Sequence, residues 1–314
     1  MTDLADDAGP GDPRAGERLL RRATYLAVGV ALLLAAVKAV AWFLTGSVSL
    51  LSSFIDSLLD AVASAVNLIA VREALRPATA AYRFGRGKLE PMAGLFQAAF
   101  ISGSALLLFS EAIERLVEPE PIRAGGFGIA VMLFSIVATV ALVWFQRHVV
   151  RRTKSLAISA DSLHYTGDLL ANSAVIIAIL LTTQLGWHMA DPIFGLGIAG
   201  YILYNAWRIA VRAFQMLLDR ELDEADRDKI RAIAMSHPEV MALHDLRTRA
   251  AGPDVFIQFH LEMPPDLRLI RAHDIADRVE REILREFPNA EVIIHEDPAG
   301  IFEPHQSFLR DRRR

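Results

Sequence analysis

A chain of 314 residues that is 53% hydrophobic, with a mean hydropathy of +0.31, is too apolar for an ordinary soluble domain and reads as a membrane protein with a polar appendage. The formal net charge of -4 argues against a nucleic-acid binder. The absence of cysteine removes disulfides, thiolate metal sites and cysteine nucleophiles.

Residues 1–22, MTDLADDAGPGDPRAGERLLRR, are acidic and rich in Gly and Pro, then basic. They read as a disordered cytoplasmic tail rather than a signal peptide, because no apolar core with a small-residue cleavage site follows at the right distance. Six apolar segments come next, at 23–45, 48–72, 90–117, 125–146, 157–185 and 191–212. Each reaches or exceeds the ~20 residues that a helix needs to cross the hydrocarbon core, which predicts a six-helix transmembrane domain over 23–215. The loops set the orientation. Arg18, Arg21 and Arg22, then Arg72, Arg76, Arg83, Arg86 and Lys88, then Arg147, Arg151, Arg152 and Lys154 fall on one side. The opposite loops, 45–47, 118–126 and 186–191, hold only Arg123 among their basic residues. Basic loops stay cytoplasmic, so both termini are expected there.

Beyond about residue 216 the sequence becomes mixed and charged. It predicts a helix at 223–236, strands at 241–249 and 254–263, a helix at 269–286 and a strand at 290–296. In the second strand Val255, Ile257, Phe259, Leu261 and Met263 alternate with Phe256, Gln258, His260 and Glu262, the period-2 pattern of a half-buried strand. The order αββαβ describes a small cytoplasmic α+β domain over 216–300, followed by a basic tail at 301–314 that contains His305.

The membrane segments contain an electrostatic anomaly. Asp56 and Asp60 lie one turn apart on the second segment, and His164 and Asp168 one turn apart on the fifth. A charge at the bilayer centre costs at least ~2.5 kcal/mol even on the lenient insertion scale. Two carboxylates one turn apart also repel each other unless a cation or proton neutralises them. If the two helices pack together, three carboxylates and an imidazole converge into a site suited to Zn²⁺, Fe²⁺ or similar ions. Asp161, a turn before His164, either joins this pathway or faces water. Lys38 is read as structural or helix-pairing, because a protonated amine cannot ligate a metal. Asn67, Gln97 and Asn172 are read as holding helices together.

In the C-terminal domain, His244, His260, His273, His295 and Asp297 supply metal-ligand chemistry, with His295 and Asp297 on one face of the last strand. His237, before a proline at a helix end, reads as a cap.

The stretches SLLSSFIDSLLDAVAS, ISADSLHYTGDLLANS, FGRGKLEP and HDLRTRAAGPDVFIQFHLEM resemble the cation diffusion facilitator family, in particular its bacterial ferrous-iron/zinc efflux pumps. The likeness runs from about residue 20 to 300. It implies a homodimer in the cell's inner membrane that exports Zn²⁺, Fe²⁺ or Cd²⁺ in exchange for protons, with no organic cofactor. It also implies that Asp56, Asp60, His164 and Asp168 are the transport site. His244, His260, His273, His295 and Asp297 would form a metal site between two metallochaperone-like cytoplasmic domains, and Lys88 and Asp219 would form charge pairs near the membrane surface of the dimer. Family members of this type often carry a further metal site between the second and third helices. Here the matching positions are Thr79, Tyr82 and Arg86, none a good ligand, so that site is expected to be missing.

Metal and protons would compete for the same ligands, with His164 the expected proton carrier because imidazole titrates nearest cellular pH. No phosphate-binding P-loop sequence is present, and no HExxH helix supports an intramembrane metalloenzyme. A Mn²⁺ or Co²⁺ transporter of the same family stays open, as does a membrane metal sensor that transports nothing.

Overall fold

The computed structural model describes residues 13–46, 48–117, 126–187 and 189–301. The expectations placed on residues 1–12, on the loop 118–125 and on the tail from 302 onward, His305 included, lie outside them. The chain divides after Arg220 into two compact units.

The first unit is a bundle of six helices: α1 (Pro13–Thr45), α2 (Val48–Ala74), α3 (Leu89–Val117), α4 (Gly126–Thr153), α5 (Leu156–Leu185) and α6 (Ala190–Leu217). The segment expected to stay disordered up to residue 22 is helical from Pro13. The reason is that Leu20 and Ala23 are buried with Val71, Leu75, Ala93 and Val149, which gives this end of α1 an apolar face to cover. Helices α1 to α5 are long and apolar enough on their own to span a membrane. Helix α6 falls outside that set, its apolar run diluted by Asn205, Arg208 and Arg212. It packs instead along α3 and α5, where Ile202, Ala206 and Ile209 meet Ala98, Ile101, Ala105, Ala160 and Leu163. Small residues allow this close approach, as expected where helix association relies on van der Waals packing. A Cβ on Gly167 would come within 2.9 Å of the Ile202 side chain.

Helix α5 sits at the centre of the bundle and packs against all the other helices of this unit. Every residue from Ala160 to Gly167 is buried. Its start is fixed twice. The Ile158 N–H donates to Ser155 Oγ (3.2 Å), and the Leu156 N–H donates to Oε1 of the buried Glu90 on α3 (2.9 Å). Its end is a left-handed Gly186 (φ 65°), where the N–H groups of Gly186 and Trp187 donate to the carbonyls of Thr182 and Leu181.

The second unit runs α7 (Glu224–Ala234), β1 (Ala242–Ala251), β2 (Asp254–Met263), α8 (Leu269–Glu286) and β3 (Ala290–Pro298), the expected αββαβ order. The sheet order is β1-β2-β3. Strands β2 and β3 are parallel, as the intervening helix requires, with His260 opposite His295 and Glu262 opposite Asp297. The alternation read in β2 is realised: Ile257, Phe259, Leu261 and Met263 are buried against Ile275, Val279 and Ile283 of α8. Phe256, on the other face, is also buried, beneath the Arg249 guanidinium 4.3 Å from its ring centroid.

Phe259→Ala is expected to destabilise this unit by about 3–5 kcal/mol, the cost of emptying a filled aromatic site in a core. Hydrogen exchange of the full-length protein checks it. Amides of β2 and α8 should exchange faster while those of α1 to α6 are unchanged, and unaltered β2 protection would show that Phe259 is not central to the core.

Candidate metal centres

The membrane centre is assembled by α2 and α5, which both touch α3. His164 Nε2 is 2.8 Å from Asp60 Oδ1 and 3.7 Å from Asp168 Oδ2. One ligand atom from each of Asp60, His164 and Asp168 lies within 4.8 Å of the others. A carboxylate only accepts hydrogen bonds, so in the Asp60 contact the Nε2–H of His164 donates. Asp56 is the member of the expected quartet that stands apart from this group: it is exposed, one turn earlier on α2. The neighbouring Ser57 hydroxyl accepts from Lys38 Nζ at 2.7 Å, so Lys38 ties α1 to α2.

Exposure changes along one face of α5. Asp161 is 0% exposed, His164 6%, and the Asp168 side chain 41%. The cluster is therefore sealed toward the N-terminal end of α5 and open toward its C-terminal half. Asp161 does not face water. Gln146 Nε2 of α4 donates to its Oδ2 at 2.6 Å, and Ser64 Oγ of α2 donates to its Oδ1 at 3.4 Å. Ser64 Oγ is in turn 2.9 Å from the hydroxyl of the buried Tyr165. A buried carboxylate needs such partners, because without them its desolvation would be uncompensated. Asn67, read as a helix-pairing residue, donates through Nδ2 to the Ala157 carbonyl on α5 at 3.4 Å.

The second centre lies on the three strands of the other unit. His244 on β1, His260 on β2 and Asp297 on β3 bring ligand atoms within 4.8 Å of one another. Asp297 Oδ2 is 2.8 Å from His260 Nδ1 and 3.3 Å from His244 Nε2. His295 Nε2 is 3.1 Å from Asp297 Oδ1, yet that buried oxygen makes no hydrogen bond. A buried carboxylate oxygen left without a hydrogen bond beside three imidazoles fits a place where a divalent cation would sit. His273, the remaining candidate, is on α8 and well exposed, with Nε2 3.8 Å from Asp277 Oδ1 and Nδ1 4.0 Å from Glu296 Oε1. It stands outside the three-residue group. Glu262 is the residue that the sequence reading left out, with Oε1 3.4 Å from His244 Nε2. The signal for it was its place two residues after His260 on the same strand face. His237 lies beyond the end of α7 and does not cap it; its Nδ1 accepts from the Glu239 N–H at 3.3 Å and so closes the turn that follows.

In the loop between α2 and α3, Thr79 and Tyr82 exchange backbone hydrogen bonds of 3.1 and 3.0 Å. Arg86 lies 4.4 Å over the Tyr82 ring and donates to Glu73 Oε2 at 2.8 Å. Lys88 Nζ and Asp219 Oδ1 form a 2.9 Å ion pair within one chain, with Asp219 in the left-handed region at φ 56°. Half-exposed pairs of this kind contribute at most about 1 kcal/mol.

Residues 24–218 match the family model described as "Cation efflux transmembrane domain", and residues 222–299 match "Cation efflux protein, cytoplasmic domain", designated ZT_dimer. A cation-efflux pump FieF of Klebsiella pneumoniae is 49% identical over 295 residues, covering 94% of this chain and 98% of the relative. The protein of that name from Salmonella paratyphi A is 49% identical over 284 residues, covering 90% and 94%.

Proposed function

The chain belongs to the cation efflux family, and on that premise we propose that it exports Zn²⁺, Fe²⁺ or Cd²⁺ across the cell's inner membrane in exchange for protons. As a member of that family it is a multi-pass divalent-cation efflux transporter and not an enzyme.

The observation that carries the finer reading is the convergence of Asp60, His164 and Asp168 from two membrane helices. Without metal, the Nε2 proton of His164 is directed at Asp60, with Asp168 Oδ2 3.7 Å from the same nitrogen. A cation that takes Nε2 as a ligand must displace that proton, so metal and proton compete for one atom and capture of the ion releases the proton. Asp56, one turn from Asp60 on α2, would supply a fourth ligand once the cation draws it in. The resulting set of three oxygens and one imidazole nitrogen suits borderline divalent ions.

The gradient from buried Asp161 to half-exposed Asp168 supports a site open away from the basic loops. With those loops and both termini cytoplasmic, this is the releasing state. Rocking of the helices would expose the same four residues to the cytoplasm for loading.

In the cytoplasmic unit, His244, His260 and Asp297, with His295 beside them, would hold a divalent ion that cross-links the three strands and supplies positive charge to a buried carboxylate. The ZT_dimer designation of this region supports a homodimer. In this reading the cytoplasmic ion regulates rather than conducts, by coupling to the transport cycle.

The test is metal flux in vesicles reconstituted with the full-length protein under an imposed pH gradient. Zn²⁺, Fe²⁺ or Cd²⁺ should move against the proton gradient and stop when an ionophore collapses it. Flux indifferent to the gradient would remove proton exchange, and no flux of any of the three ions would remove the transport assignment.

A further inference from the structure

One cavity of the membrane unit has no part in the metal chemistry. It measures about 320 Å³ and opens between α4, α5 and α6. Arg147 and Arg151 of α4 and Arg208 and Arg212 of α6 line it, with Ser162 and Thr166 of α5 at its floor. Each pair of arginines is spaced i,i+4, so both members lie on one helix face and repel each other. Among the described residues none of the four has a carboxylate partner. Arg147 donates to Thr166 Oγ1 at 3.5 Å, and Arg208 lies 5.8 Å from the Tyr204 ring centroid. Elsewhere in the unit Arg76 and Arg86 pair with Glu73, and Arg115 pairs with Glu111 and Asp191. Four guanidinium groups around one cavity without a counter-charge make a site for an anion, and the planar N–H fork of arginine matches phosphate oxygens two at a time.

The position of the cavity identifies the source of that phosphate. It lies where α4 ends, α5 begins and α6 nears its end, the level of the basic loops and hence of the lipid headgroups. Tyr201 is among its lining residues, and the helices that carry the four arginines expose Trp144 (74%), Trp207 (69%) and Tyr204 (62%). Amphipathic rings at this depth mark the membrane interface, where headgroup phosphates and the start of the acyl chains lie together. We propose that this cavity is a headgroup site for an anionic glycerophospholipid, whose phosphate is held by Arg147, Arg151, Arg208 and Arg212. Basic pockets between membrane helices on the cytoplasmic side are a recognised form of such a site. Because Ser162 and Thr166 are on α5, an occupied site would brace α4 and α6 against the helix that carries half the transport ligands.

The test is native mass spectrometry of the full-length protein in a neutral maltoside detergent, offered equal amounts of phosphatidylglycerol and phosphatidylcholine. The parent should retain phosphatidylglycerol in preference. Arg208→Gln with Arg212→Gln should reduce that preference roughly 30-fold, at about 5-fold for each interfacial arginine. Arg147→Gln, measured in parallel, should reduce it by the single-residue factor and keeps the test decisive if the double variant does not assemble. Arg22→Gln with Arg83→Gln, which removes basic residues outside the cavity, should change nothing. Equal losses in that control would mean a diffuse surface attraction and overturn the proposal. So would displacement of the lipid by millimolar inorganic phosphate, which would make the cavity a free-anion site, or unaltered lipid preference in the Arg147 variant.

Discussion

Asp60→Ala is expected to abolish metal efflux, with a fall in vesicle flux of at least about 100-fold. Loss of a residue that only supports a ligand already costs 10–100-fold in affinity, and Asp60 is proposed as a ligand itself. Two effects combine at this position. The carboxylate is one of the two that face His164 Nε2, and it is the acceptor that fixes the imidazole proton at 2.8 Å. Its removal takes away an oxygen ligand, one of the two carboxylates that face Nε2 and the orientation of the ring. The side chain is 20% exposed, so truncation leaves no sealed cavity and the bundle should assemble normally. Asp60→Asn separates charge from orientation. The amide carbonyl can still accept from Nε2, so the ring stays in place while the charge that attracts the cation is gone. Both variants should therefore lose flux, with Asn retaining the parent's thermal stability more closely than Ala. If Asp60→Ala moves metal at close to the parent rate, the membrane centre is misassigned.

Asp60, His164 and Asp168, which the structure brings together, stood out with Asp56 because ionised groups in lipid are costly enough to require a reason, and i,i+4 spacing is a property of any helix. What the spacing does not contain is which helices touch. That Asp60 rather than Asp56 meets the α5 pair depends on how α5 is seated among its neighbours. That seating rests on small residues such as Gly94 and Gly167, and on Glu90 reaching 66 positions along the chain to the Leu156 N–H. None of these has a periodic signature. The same applies to Asp161. In sequence it is a carboxylate near a helix end, and only the arrival of Gln146 and Ser64 from other helices turns it into a buried, satisfied group. The α+β unit was more transparent. Alternation in β2 fixes which face is core, and a helix between parallel strands fixes the order, so the faces of His260 and Asp297 follow. His273 was harder, because its place on α8 is set by the stripe Ile275, Val279 and Ile283, which turns that histidine outward.

The two centres are separable, and Asp297→Ala should separate them. Asp297 is the residue shared by the cytoplasmic cluster: its Oδ2 faces His260 and His244, and its Oδ1 faces His295. Removing it leaves the imidazoles without the one buried carboxylate they share, with only the partly exposed Glu262 beside His244 to offer charge. The affinity of this centre for Zn²⁺ should fall by at least about 100-fold, by the same comparison with supporting residues. Equilibrium binding of Zn²⁺ to the full-length protein should then lose one class of sites while the membrane class remains. Asp60→Ala should give the complementary loss, and the double variant should bind at neither. Flux decides the role of the cytoplasmic ion. If it clamps the domains and biases the cycle, Asp297→Ala leaves flux near the parent value at saturating metal and raises the metal concentration needed for half-maximal rate, because a coupling free energy shifts affinity without supplying the path. If the variant stops flux while the membrane class still binds Zn²⁺, the ion must pass through, or be delivered by, the cytoplasmic cluster. The histidines would then belong to the conduction route rather than to its control.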